Sequence, residues 1–245
     1  MSDARLRDLE RRWRASGALE DEVAFLREAL RSGALEREAL HLAAYCRSEA
    51  AARVLDVPMG SPELDVWAAG LLPWGKVALV EAALALAELT LPLWAFCFPR
   101  DARMQDAIAA TQAWLRCPCA VHVEQAYLAS VVAEEAQGLS PEGLFHLELS
   151  SMHAEAWEAT NLVTGAALAA HIAAGLAGDD PEAYGATHGL SILARQGPRR
   201  SPNPTPAELE LLERARYELR SESELLEVCA RAVRQSALSS ALRGG

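Results

Sequence analysis

Three features of this 245-residue sequence predict an all-α fold. Alanine supplies 49 residues, whereas valine, isoleucine and threonine together supply 22; alanine is the best helix former and β-branched residues are what strands favour. Apolar residues recur at helical spacing along most of the chain. Ser-Gly and Ser-Pro steps punctuate it where helices stop and start. The expected architecture is a multi-helix bundle or irregular α-solenoid of about ten to twelve helices.

Taken in order, residues 1–58 read as a region of short helices. Leu6, Leu9 and Trp13 share one face, and Ser16-Gly17 breaks that helix. Val23, Leu26 and Leu30 form the next stripe, which stops at Ser32-Gly33, where glycine can take the left-handed position after a helix. Leu35, Ala39, Leu42, Ala43 and Cys46 make a third stripe, and Ala50 to Leu55 a short last turn. After the connector Val57 to Gly60, residues 61–197 read as a central bundle. Ser61-Pro62-Glu63 predicts an N-cap, a first-turn proline and an acidic first turn. Helices are expected at about 62–69, 75–90, 91–97, 102–116 and 118–137. Further starts stand at Ser140-Pro141 and Asp180-Pro181, with His146 to Ala177 forming one long helix or two between them. From Ala166 to Ala177 nearly every residue is small, which permits close helix–helix approach. The proline-rich stretch 198–205 is a linker, because its prolines forbid a helix. The last region, 206–245, carries helices at about 206–219 and 222–242, expected to dock back onto the bundle or to mediate oligomer formation.

Charge narrows the class of partner. The formal net charge is −11, which argues against nucleic acid and favours a basic partner protein. Arg11, Arg12 and Arg14 alternate with Asp8 and Glu10, as on a solvated helix face. Basic residues are 22 Arg and a single lysine, Lys76, a bias typical of bacterial genomes rich in G and C. The five cysteines lack disulfide-scaffold spacing, and the charged N-terminal stretch has no apolar signal region; together they predict the reducing cytoplasm. The two most apolar stretches, Val77 to Phe98 and Leu162 to Ala177, are interrupted by Glu81, Glu88 and Pro92 or are too short, so no membrane span is expected.

Few residues offer chemistry. Cys117-Pro118-Cys119 followed by His122 places two thiols and an imidazole at a helix start, with Cys117 as the expected N-cap and Cys119 and His122 on one face. Such a set can bind a soft metal, zinc being the natural choice, and Cys97 can add a fourth ligand if the preceding hairpin folds back. It can instead serve a metal- or thiol-dependent enzyme or sensor, or be two small structural residues at a helix start. The pair Glu81 and Glu88 reads as a solvated stripe, and Glu38-x-x-His41 lacks the second such step that a di-iron bundle needs. His146 and His153 lie about 10 Å apart along a helix, too far for one ion. No phosphate-binding glycine loop, nucleophile elbow or zinc-protease helix motif is present, and no catalytic residue or cofactor is expected.

One cassette carries a resemblance. From Trp74-Gly75-Lys76 through Trp114, the chain resembles the immunity-protein-five-like family of helical bacterial domains, assigned as antidotes in polymorphic toxin systems. The family's signature is similar to Pro-x-Asp-x-Arg-Pro-Arg-x-Ala-Ile followed by Ala-Trp. Here Pro99, Asp101, Arg103, Ala107, Ile108 and Trp114 match, whereas Met104 and Gln105 stand where the signature has Pro-Arg. The cassette covers about residues 74–135, and the preceding segments Leu9 to Leu30 and Leu40 to Cys46 resemble leaders of helical proteins from myxobacteria. The resemblance implies a non-catalytic module that neutralises a partner protein, a basic toxin for instance, with Trp74, Lys76, Asp101, Arg103 and Trp114 as binding residues. Read physically, Asp101 caps the helix that follows, Arg103 forks onto Asp101 or Asp106 or onto a carbonyl, and Trp94, Ile108 and Trp114 anchor the packing.

Overall fold

The computed structural model describes residues 2–98, 100–137, 169–179 and 222–243. Every element assigned among them is helical: α1 (Ser2–Ser16), α2 (Leu19–Ser32), α3 (Arg37–Tyr45), α4 (Glu49–Leu55), α5 (Leu64–Ala69), a 3-10 turn (Leu72–Trp74), α6 (Lys76–Cys97), α7 (Arg103–Arg116), α8 (Ala120–Gln137), α9 (169–177) and α10 (Glu222–Arg243). The protein is an all-α, multi-helix bundle. No helix among the described residues is long and apolar enough to cross a membrane. The linker at 198–205, the helix starts at Ser140 and Asp180, the helix expected at 206–219, and His146, His153 and Pro99 lie outside the described residues.

The chain divides into two compact units, Met1–Pro62 with Ala230–Gly245, and Glu63–Cys229. In the first, Phe25, Leu26, Leu40, Ala43, Ala44 and the alanines of α4 form the core, flanked by Leu6, Leu9 and Trp13 of α1 and by Leu238, Ala241 and Leu242 of α10. Trp13 stacks on Phe25 with ring centroids 5.2 Å apart. Gly33 ends α2 in the left-handed region at φ 74°, and the Leu35 amide then donates back to the Ala29 carbonyl. Ser48 caps α4 by accepting from the Ala51 amide. The arginines of α1 pair with Asp8, Glu10 and Asp21, which makes that face a solvated one.

Over residues 61–97, two sequence expectations fail. Ser61 is not an N-cap: α5 starts later, with Glu63 in the cap position, and the Ser61 carbonyl accepts from the Arg47 guanidinium. The break expected between the helices at 75–90 and 91–97 is also absent, for α6 runs unbroken from Lys76 to Cys97 with Pro92 inside it. Proline deletes one backbone hydrogen bond and costs about 3 kcal/mol inside a helix. Here its ring is exposed, while Leu86, Ala87, Thr90 and Trp94 on the adjoining turns are buried. Their burial, about 1.5–3 kcal/mol for a large side chain, offsets that cost.

α9 packs close against α8. Ala169, Ala170, Ala173, Ala174 and Ala177 are all at most 1% exposed. At its end, Gly178 lies so near α8 that a Cβ there would stand 2.5 Å from the backbone N and Cα of Tyr127. His171 donates from Nδ1 to the Ser130 carbonyl at 3.1 Å, since a carbonyl can only accept. Gly178→Ala is therefore expected to destabilise the protein by about 1–3 kcal/mol through overpacking. Chemical denaturation checks this; an unchanged midpoint would show that α9 does not sit against α8 in this way.

Candidate functional site

The features singled out in the sequence gather at the two ends of α7, which is 14 residues long and so about 21 Å end to end. They form two corners.

The first corner joins α6 to α7. Phe98 follows α6, and its carbonyl accepts from the Asp101 amide at 3.0 Å. Ala102, not Asp101, holds the cap position of α7, and it makes no side-chain cap bond. Asp101 acts from one residue earlier: its Oδ1 accepts from the Arg103 amide at 3.1 Å, satisfying one of the free N–H groups at the helix start. Its carboxylate also receives the Arg103 guanidinium through Nε at 2.9 Å and through Nη2. Of the partners expected for Arg103, Asp101 is the one found. The Asp101 carbonyl accepts from the indole N–H of Trp94 at 3.2 Å. Trp94 is 1% exposed and packs against Phe98, with the Arg103 guanidinium 6.0 Å from its ring centroid. The hydrogen bonds from Arg103 hold the Asp101 carboxyl below its ordinary pKa.

The second corner joins α7 to α8. Cys117 precedes a proline, which pushes it into the extended region (φ −150°, ψ 93°) and ends α7. The expectation that Cys117 caps the next helix is corrected: α8 begins at Ala120, and the Val123 amide donates to the Cys119 carbonyl at 3.0 Å, which puts Cys119 in the cap position. The reason is a tight turn across Pro118, in which the Cys119 amide donates to the Cys117 carbonyl at 2.8 Å. That carbonyl also lies 2.7 Å from His122 Nδ1, so Nδ1 carries the proton in this arrangement. His122 Nδ1 is 3.4 Å from Cys119 Sγ, which places the two on one face. The sulfurs of Cys117 and Cys119 and the His122 imidazole nitrogen all lie within 4.8 Å of one another. The backbone N–H of His122 holds the Cys119 thiol below its ordinary pKa, while Cys117, hydrogen-bonded to Cys119, is raised. The Cys97 side chain lies outside the described residues.

Lys76 sits at the N-terminus of α6, where a cation is unfavourable to the helix dipole. Tertiary contacts explain it. Its Nζ donates to the Ala177 carbonyl at the end of α9 (2.9 Å) and to Asp179 (2.5 Å), and stands 4.6 Å from the Trp114 ring centroid. Of the five residues the resemblance assigns to binding, the structure thus pairs Asp101 with Arg103 and Lys76 with Trp114. Trp114 is buried and Trp74 half-buried in the 3-10 turn. Glu88 is exposed and accepts from the Gln112 side chain, which ties α6 to α7.

Sequence reading missed the outer face of α8. Its buried positions are small (Ala126, Ser130, Ala133), whereas Val121, Tyr127, Leu128, Val131 and Val132 are between 37% and 60% exposed. The signal was present in the run of apolar residues with no second stripe of polar ones. Comparison of the chain with protein-family models, with curated proteins and with solved structures gives no match in any of the three.

Two outcomes test the corners. Asp101→Asn should cost about 1–3 kcal/mol, the range for a charged hydrogen-bonded group. Because the folded carboxyl titrates below the ordinary aspartate value, this contribution is present above about pH 4 and is lost as pH falls through the lower folded pKa. Stability measured against pH should therefore differ between the two proteins at neutral pH and converge in acid. Lys76→Met should lower thermal stability by a similar ~1–3 kcal/mol, because the Ala177 carbonyl and Asp179 lose their donor; an unchanged melting temperature would deny Lys76 that role.

Proposed function

We propose that the chain is a non-catalytic protein-binding module, an immunity or regulatory protein that neutralises a partner by covering its active surface. The observation that carries this reading is the inverted face of α8. Large apolar side chains stand outward and small ones inward, the reverse of what burial of apolar surface favours for a face left in water. Glu124, Glu134 and Glu135 are exposed on the same helix, which contains no lysine or arginine. Together with the net charge of −11, this fits a basic protein that presents an apolar patch ringed by arginine or lysine. The cassette from Trp74 to Trp114 supports membership of the immunity-protein-five-like family, and the composition fits a bacterial, cytoplasmic protein.

The test is co-expression with the product of the adjacent gene, followed by gel filtration with light scattering. The expected result is a one-to-one complex that weakens at least about tenfold in Leu128→Glu, as loss of a central apolar anchor does, and whose association slows with added salt. Leu128 is 56% exposed, so the substitution leaves the fold intact. No complex, or one indifferent to Leu128→Glu, would overturn the reading. A homodimer abolished by the same variant would assign the face to a second copy of the chain instead.

A further inference from the structure

The geometry at the α7–α8 corner points to a site for one Zn2+ ion, held by the sulfurs of Cys117 and Cys119 and an imidazole nitrogen of His122, with its fourth coordination position open to solvent. Among the described residues, four cysteines fall into two kinds by burial. Cys46 and Cys229 are at most 1% exposed and serve as small core residues, and burial pushes the Cys46 thiol up to about 12. Cys117 is exposed and Cys119 half-buried, so packing does not account for them.

Their surroundings are built. Pro118 sets the turn, and the Cys117 carbonyl receives both the Cys119 amide and His122 Nδ1, which orients the ring toward Cys119. A tetrahedral zinc with bonds near 2.3 Å to sulfur and 2.0–2.1 Å to nitrogen separates its ligand atoms by ~3.5–3.8 Å. Cys119 Sγ and His122 Nδ1 are already 3.4 Å apart, and the whole set lies within 4.8 Å. A shift of the exposed Cys117 side chain by about 1 Å closes the triad at those bond lengths.

Two sulfurs and an imidazole select a borderline-soft cation over magnesium or calcium. Loading releases the two thiol protons. The ring proton moves from Nδ1 to Nε2 as the bond to the Cys117 carbonyl opens, and no electron is transferred. Three protein ligands leave room for a water or an outside donor, unlike a closed structural site.

The test is competition between the reduced, full-length protein and a chromophoric chelator for Zn2+, with Co2+ as a spectroscopic substitute. The expected result is one Zn2+ per chain, with affinity reduced at least about tenfold in Cys117→Ser, Cys119→Ser and His122→Ala. Co2+ should give sulfur-to-metal charge-transfer bands that the serine variants lose. Wild-type protein provides a check that needs no variant: Zn2+ should protect Cys117 and Cys119 from alkylation. Zinc uptake unchanged in the three variants, or no protection of those two thiols, would overturn the assignment.

Discussion

The second unit rests on one constraint: helix backbones can come close only where side chains are small. The buried face of α8 is made of alanine and serine, α9 buries five alanines beside Ile172 and Leu176, and at Gly178 no Cβ fits against Tyr127. Interiors pack as densely as organic crystals, so this contact determines where its neighbours go. Because α9 is seated on α8, its C-terminal carbonyl comes within reach of Lys76, and Lys76 in turn lies over Trp114. Large residues then fill what the small ones leave, with Trp67, Trp94 and Trp114 at most 4% exposed.

The same economy explains why the outside of α8 is apolar. A helix whose inner face is small buries little area of its own, yet large apolar residues remain on its other side. Burial of those residues would stabilise a complex by about 25 cal/mol for each Å² removed from water. In such a complex the acidic side chains beside them would add orientation more than affinity.

The two ends of α7 solve one problem, reversing the chain between packed helices, with different chemistry. At the first, a carboxylate and a guanidinium satisfy each other and an orphan amide, so the charge is consumed internally. At the second, a proline turn and a single carbonyl set the backbone, which leaves two sulfurs and an imidazole with capacity to spare. The first corner thus satisfies its own charge, whereas the second keeps sulfur and nitrogen lone pairs that could take a ligand.

Much of this was legible in the sequence. Alanine content and helical spacing determined the all-α class, and Gly33 and the Ser16-Gly17 break marked helix ends because their preferences are local. The pairing of Asp101 with Arg103 was readable for the same reason, since the two are adjacent but for one residue, and the burial of Trp94, Ile108 and Trp114 followed from their apolar bulk. Tertiary structure alone decided the rest. Pro92 stays inside α6 because burial on the adjoining turns outweighs a local penalty. Lys76 faces Ala177 and Asp179, about a hundred residues away along the chain, a partnership no short-range pattern encodes. Which face of α8 looks inward was decided by packing, because periodicity reveals that a helix has faces but only packing chooses between them.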